Sequence, residues 1–133
     1  MGIEVGRTER TAIKRVPRKT VNDSEVVRNI LDSGLYGNLA CVIDGQPFIM
    51  PVGYARDGDK ILFHGSAASR LFKSLAEGNP TCFSVTLLDG LVAARSAFNS
   101  SMNYRSVMAL GICEVLEGKE KYDALLKLTE HLL

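Results

Sequence analysis

Two Asp-Gly steps, Asp44-Gly45 and Asp57-Gly58, constrain this chain more than any other feature. Each lies between apolar, strand-like runs: LYGNLACVI (35–43), PFIMPVGYAR (47–56) and KILFHG (60–65). A two-residue loop of this kind closes an antiparallel hairpin, because its central residues take positive φ and Asp and Gly tolerate that conformation. Two in succession predict a three-stranded antiparallel meander and exclude a doubly wound parallel sheet.

The rest of the pattern places helices around more strands. Asn22, Asp23 or Ser24 can cap a helix running to about Asp32, with Val26, Val27, Ile30 and Leu31 on one face and Gly34 as its stop. Ser66 to Glu77 reads as a second helix with Leu71, Phe72 and Leu75 inward, ended by Gly78 and Pro80. TCFSVTLLD (81–89) alternates as a fourth strand, RSAFNSSMN (95–103) reads as a polar connection, and YRSVMALGICEVL (104–116) as a long fifth strand bent at Gly111. GKEKYDALLKLTEHLL (118–133) is a third helix with no Gly or Pro stop after it, so more chain is expected beyond Leu133. The fold class expected from these elements is mainly β: a small antiparallel barrel with flanking helices.

A length of 133 residues suits one domain. Residues 1–22 form a basic N-terminal arm, with Arg7, Arg10, Lys14, Arg15, Arg18 and Lys19 against Glu4 and Glu9, and the domain proper is 23–133. A formal net charge of +1 supplies no general pull toward nucleic acid. No apolar run approaches membrane-spanning length and the N-terminus has no signal-peptide segment, so no membrane partner and a cytoplasmic location are expected. The three cysteines, Cys41, Cys82 and Cys113, are scattered through apolar runs, which reads as buried thiols in a reducing compartment. No Cys/His spacing suggests a metal site.

One segment, FHGSAASRLFKSL (63–75), carries chemistry. A strand ends at His64, small residues follow, and Ser69-Arg70 open a helix. Arg70 offers a permanently charged fork and Ser69 a hydroxyl near free backbone N–H groups, a set that suits a phosphate. The same residues also read as an N-cap serine followed by a solvent-facing arginine. His64 reads as a proton donor at near-neutral pH or as a strand-end histidine bonded to backbone. Asp44 and Asp57 are turn residues first, and Tyr36 and Tyr54 read as barrel packing with one polar handle.

The succession YGNLACVIDGQPFIMPVGYARDGDKILFHGSAASRLFKSL, then TCFSVTLLDG, then ARSAFNSSMNYRSVMALG resembles the pyridoxamine 5'-phosphate oxidase-related split-barrel family, in particular its nitroimidazole-resistance branch. The resemblance covers roughly Arg15 to Leu133. It implies a six-stranded, Greek-key split barrel that forms a homodimer and binds FMN at the interface. Ile49, Met50, Pro51 and Val52 are then the flavin-edge candidates, and His64, Gly65, Ser69 and Arg70 lie on the phosphate side. Leu71 stands where family members often carry a second basic residue, and Lys73 is the candidate substitute. Arg105 and Ser106 match a strand that contacts flavin from the other subunit. His64 matches a histidine of that branch and is the catalytic candidate. The implied function is an FMN-dependent oxidoreductase with a small-molecule electron donor or acceptor. A flavin- or haem-binding module without turnover is the alternative, and a deazaflavin is a further cofactor of the right shape.

Overall fold

The structure, a computed structural model, describes Arg10 and residues 23–133. The rest of the basic arm lies outside the described residues. Helix α1 (Ser24–Ser33) starts where Asp23 accepts the Glu25 N–H at 2.9 Å, and it buries Ile30 and Leu31. Strands β1 (Tyr36–Ile43), β2 (Gln46–Asp57) and β3 (Lys60–Phe63) form the meander. Helix α2 (Arg70–Ala76), strands β4 (Thr81–Val92) and β5 (Ser101–Gly111) and helix α3 (Gly118–Leu132) follow.

The sheet is antiparallel throughout, in the order β3-β2-β1-β4-β5. The meander with β4 returning beside β1 is the Greek-key order. Its first turn shows why Asp-Gly was informative: Asp44 and Gly45 sit at φ 50° and 79°, the pair of positive values that such a loop demands.

β1 alternates cleanly, burying Gly37, Leu39 and Cys41 and exposing Tyr36 and Asn38. Leu39 and Cys41 join Leu31, Val52, Tyr54, Leu71, Leu75, Phe83 and Val85 in one core. A satellite of Ala55, Leu62 and Leu128 ties α3 to β2 and β3. Tyr36, expected to pack, is instead 67% exposed.

Three expectations need correction. The sheet has five strands among the described residues, not six, and it is open: β3 and β5 are its two edges. α2 begins at Arg70 rather than Ser66, because Ser66 and Ser69 use their side chains on local backbone. The Ser66 Oγ accepts the Ala68 N–H, and the Ser69 Oγ accepts that of Phe72. β5 spans Ser101–Gly111 rather than 104–116. It stops because Gly111 faces Thr81, the first residue of β4, and no ladder partner remains. Ser101 and Asn103, expected in a connection, therefore lie in a strand, paired with Val92 and Gly90.

Tyr54 marks the corner of the sheet. β2 pairs with β1 up to Gly53 and with β3 from Tyr54 onward. The Tyr54 ring is fully buried edge-on to Phe83, and its hydroxyl donates to the Leu31 carbonyl at 2.5 Å. Burial, with the Asp32 carboxylate nearby, pushes the Tyr54 hydroxyl up to about 12. Tyr54→Phe leaves the buried carbonyl unpaired and should cost about 1–3 kcal/mol in denaturant unfolding. A raised tyrosine value favours the protonated, folded form. The native protein should therefore lose stability as pH rises from about 10 through about 12. That component of the slope should vanish in Tyr54→Phe, which pH-dependent unfolding curves of the two proteins will read.

Candidate functional site

The free edge of β2 organises the site. The Tyr54 N–H donates to the Leu35 carbonyl on the β1 side, at 3.3 Å. Backbone groups alternate along a strand, so Val52, Met50 and Phe48 also face β1. Ile49 and Pro51 face the other way, where β3 begins only opposite Tyr54. A proline lacks the N–H that a ladder needs, and Pro51 sits where none is asked for. The four flavin-edge candidates thus divide. Ile49, 68% exposed, and Pro51 lie on the unpaired edge; Val52 is buried in the core and Met50 packs against it.

At one end of this edge lies a recess of about 530 Å³ between the β1–β2 hairpin and α2. Arg70, Lys73, Ser74 and Asn79 line it opposite Val42, Ile43 and Asp44. The Arg70 guanidinium rests over the Phe48 ring, 5.1 Å from its centroid, one residue before Ile49. Neither Arg70 nor Lys73 has a carboxylate partner among the described residues. Ser69 caps α2 with its oxygen, so its hydroxyl proton is still free to donate. Lys73, one turn after Arg70, therefore shares the recess that Leu71 leaves for the core.

At the other end α3 closes over Gly53, where an added Cβ would lie 3.1 Å from Leu132. Here His64, Leu125, Leu128, Thr129, Leu132 and Leu133 line a second recess, of about 220 Å³. His64 is exposed and makes no hydrogen bond among the described residues, so it is not the backbone-bonded strand-end histidine. Phe63 before it packs inward on Phe72 and Phe83. Gly65 after it has no room for a side chain, since a Cβ would lie 2.2 Å from the Phe72 ring. The structure thus separates His64 from the Arg70–Lys73 recess although the sequence sets them close.

Arg105 and Ser106 lie elsewhere, on β5, and both are exposed. Arg105 is held by Asp89 through two hydrogen bonds of 2.9 Å, which also keep the Asp89 carboxyl below its ordinary value. Asp89 is the extra residue of a β-bulge between Leu88 and Gly90, and the bulge aims its side chain across the hairpin. The sequence carried no sign of this pairing. The cysteines are unpaired, and burial pushes the Cys82 and Cys113 thiols up, away from the reactive thiolate. No helix among the described residues is long and apolar enough to cross a membrane.

The pyridoxamine 5'-phosphate oxidase family model matches residues 23–133, all but the arm. The chain belongs to this family. No curated protein gives a match. Among solved structures, the flavocytochrome Anf3 of Azotobacter vinelandii is 39% identical, with a TM-score of 0.87 over 98% of this chain. An FAD and haem binding protein of Mycobacterium smegmatis is 40% identical, with a TM-score of 0.79 over 84% of this chain. The chain spans 61% and 54% of the lengths of these two relatives. A candidate 5-nitroimidazole resistance protein of Bacteroides thetaiotaomicron shares the fold at 21% identity, with a TM-score of 0.72 over 85% of this chain and 68% of its own. Family membership supports the split-barrel reading, with the sheet of this chain standing open.

The tight passage at Gly65 is testable. Gly65→Ala forces the Phe72 ring away from Phe63 and should destabilise the fold by about 1–3 kcal/mol, the usual cost of overpacking. Chemical denaturation of the two proteins measures it.

Proposed function

We propose that this chain is a flavin-binding redox protein whose nucleotide phosphate is held by Arg70, Lys73 and Ser69. The observation that carries the reading is an unpaired Arg70, set by Phe48 at the start of an unpaired strand edge. A phosphate needs a permanent charge with several donors, and Arg70, Lys73 and the Ser69 hydroxyl supply both. The polar edge of the flavin ring needs donors and acceptors in a row. The Ile49 N–H and C=O and the Pro51 C=O face outward there, next to the Arg70 end.

When bound, a flavin supplies electron transfer between a reduced donor and an acceptor. The residues here bind, orient and shield it, and a small-molecule donor or acceptor reaches its open face. FMN is what the family resemblance implies; the relative named for FAD and haem, at 40% identity, favours FAD for this chain. Either presents a phosphate after its ribityl chain, so the Arg70 assignment serves both. A cytoplasmic setting fits three cysteines that remain free.

We also propose that the chain acts as a homodimer. The support is apolar surface on the β4–β5 hairpin that a monomer leaves wet. Leu91 is 79% exposed, Phe98 95%, Met108 57% and Tyr104 57%, and β5 is exposed along nearly its whole length. Contiguous apolar area of this kind marks an interaction surface. Asn99 and Ser100, at the hairpin end, would rim it as polar residues do at an interface.

Two measurements test these readings. Arg70→Ala should weaken FAD or FMN binding at least tenfold, as expected for loss of a charge-assisted bond worth about 1.5–3 kcal/mol. Unchanged affinity in a folded variant refutes the assignment, and the flavin released on denaturation identifies FAD or FMN by chromatography. Sedimentation should show a dimer at micromolar concentration that Phe98→Asp shifts toward monomer, whereas a monomeric native protein refutes the interface.

A further inference from the structure

We propose that the basic arm, residues 1–22, docks on the outer face of α3 of its own chain and straps that helix to the sheet. α3 is lightly held for its length. Of its fifteen residues only Leu128 is buried, with Ala124 packed beside it, His131 on Tyr54 and Lys127 paired to Asp57. Tyr122, Leu126, Thr129 and Leu133 succeed one another at steps of four, three and four, which aligns them as one stripe. The stripe faces solvent: Tyr122 is 64% exposed and Leu126 44%. Its one polar side chain, Thr129, spends its hydroxyl proton on the Leu125 carbonyl.

Asp123 and Glu130 lie along one margin of this stripe, two turns or about 10 Å apart. Both are exposed, and neither forms a salt bridge among the described residues. A cationic segment with apolar residues between its charges complements such a face, and the arm has that composition. Residues 1–22 carry six Lys and Arg against two acids, whereas 23–133 carry ten against thirteen, so arm and domain attract one another. Within the arm, Arg15 and Arg18 flank Val16 and Pro17. Three residues of chain reach about 10 Å, the separation of Asp123 and Glu130. Val16 then falls near Leu126, and Pro17 has no N–H to offer a strand edge, which suits a segment lying on side chains.

The topology brings the arm to this helix. The arm ends at Asp23, where α1 begins, and Arg28, one turn further on, pairs with Asp59. Asp57, two residues before Asp59, pairs with Lys127 of α3. α1 and α3 thus flank one turn, and the chain from Arg15 to Asp23 can span up to about 27 Å. Exposed ion pairs are individually weak, but a tethered segment meets its site at an effective concentration of about a millimolar, so a few such contacts suffice. The inference stands apart from the flavin reading, since no residue of this face lines the Arg70 recess.

The test is zero-length carbodiimide cross-linking of the full chain, in an equal mixture of unlabelled and nitrogen-15-labelled protein, read by peptide mass spectrometry. Lys14 or Lys19 should couple to Asp123 or Glu130 within one chain, and raised salt should suppress the link. In the double variant Asp123→Asn, Glu130→Gln, trypsin should cut after Arg15 about fivefold faster than in the native protein, the worth of two exposed pairs. Leu126→Gln, which keeps both acids, should also speed that cut, with native far-ultraviolet circular dichroism in each variant. Amide hydrogen exchange of α3 should rise in the same variants. Reversing both sides, Arg15→Glu and Arg18→Glu with Asp123→Arg and Glu130→Arg, should restore slow exchange. Links found only between labelled and unlabelled chains overturn the proposal and give the arm to a second copy. Absence of any arm-to-α3 link also overturns it, as do native rates of cleavage and exchange in the double variant.

Discussion

The buried hydrogen bond from the Tyr54 hydroxyl to the Leu31 carbonyl is the contact on which the remaining geometry depends. It occurs where β2 leaves β1 and takes up β3, a point at which a twelve-residue strand must serve two neighbours in turn. The bond fixes the end of α1 to that corner. The backbone at Gly34 then passes so near that an added Cβ would lie 2.5 Å from the Tyr54 oxygen. His131 packs on the other side of the ring and points its Nε2 at the Gly34 carbonyl, so α3 docks on the same corner. One aromatic side chain thus joins both helices to the strand. A consequence is that β2 has no strand beyond it before Tyr54, and this vacant edge is what the site is built along.

The sequence disclosed features whose physics is local. The Asp-Gly loop at residues 44–45 required positive φ at two positions, and the chain supplied residues that accept it. The helix start at Asp23 and the inward faces of β1 were equally readable, since capping and alternation depend on near neighbours. Features set by distant partners were not readable. The outer half of the β4–β5 hairpin is exposed on both faces, so Ser101 and Asn103 carry no alternation to betray a strand. The end of β5 at Gly111 is imposed by the start of β4, thirty residues earlier in the sequence. The start of α2 turned on which of several serines capped it, a competition that spacing does not resolve.

The same division runs through the candidate site. For Arg70 the sequence showed the place, just after a capping serine at a strand-to-helix corner, and the structure sets it there over Phe48. Ile49 and Pro51 could be singled out only as members of a strand; which edge they occupy follows from the ladder. Arg105 illustrates the opposite case. Its type and place suit an anion from another molecule, yet a bulge presents Asp89 to it within the same hairpin. A bulge inserts one residue and re-aims one side chain, an event that leaves little trace in composition. His64 and Arg70 are six positions apart in sequence and lie in different recesses, because the chain between them turns over Phe72.

Ion pairing leaves the Arg70 end among the cationic places that have no carboxylate partner among the described residues. A formal net charge of +1 gives the molecule almost no surplus to distribute. Three of its cations pair around the β2–β3 turn. Arg28 of α1 pairs with Asp59, Lys127 of α3 with Asp57, and Arg56 with Asp32 while donating to the Gly58 carbonyl. Exposed pairs of this type contribute little stability individually, typically about 0–1 kcal/mol. Their effect on the field is larger than their effect on folding, because each neutralises a cation where it stands. The Arg56 partnership is tight enough to hold the Asp32 carboxyl below its ordinary value. Arg105 is neutralised in the same way on β5. Arg70 and Lys73 escape this accounting, since α2 carries no acid in its first turn. Glu77 and Asp44 also line that recess, without pairing to either. Two cations without a carboxylate partner among the described residues thereby stand beside an unpaired strand edge, in a recess whose own acids, Asp44 and Glu77, are paired to neither.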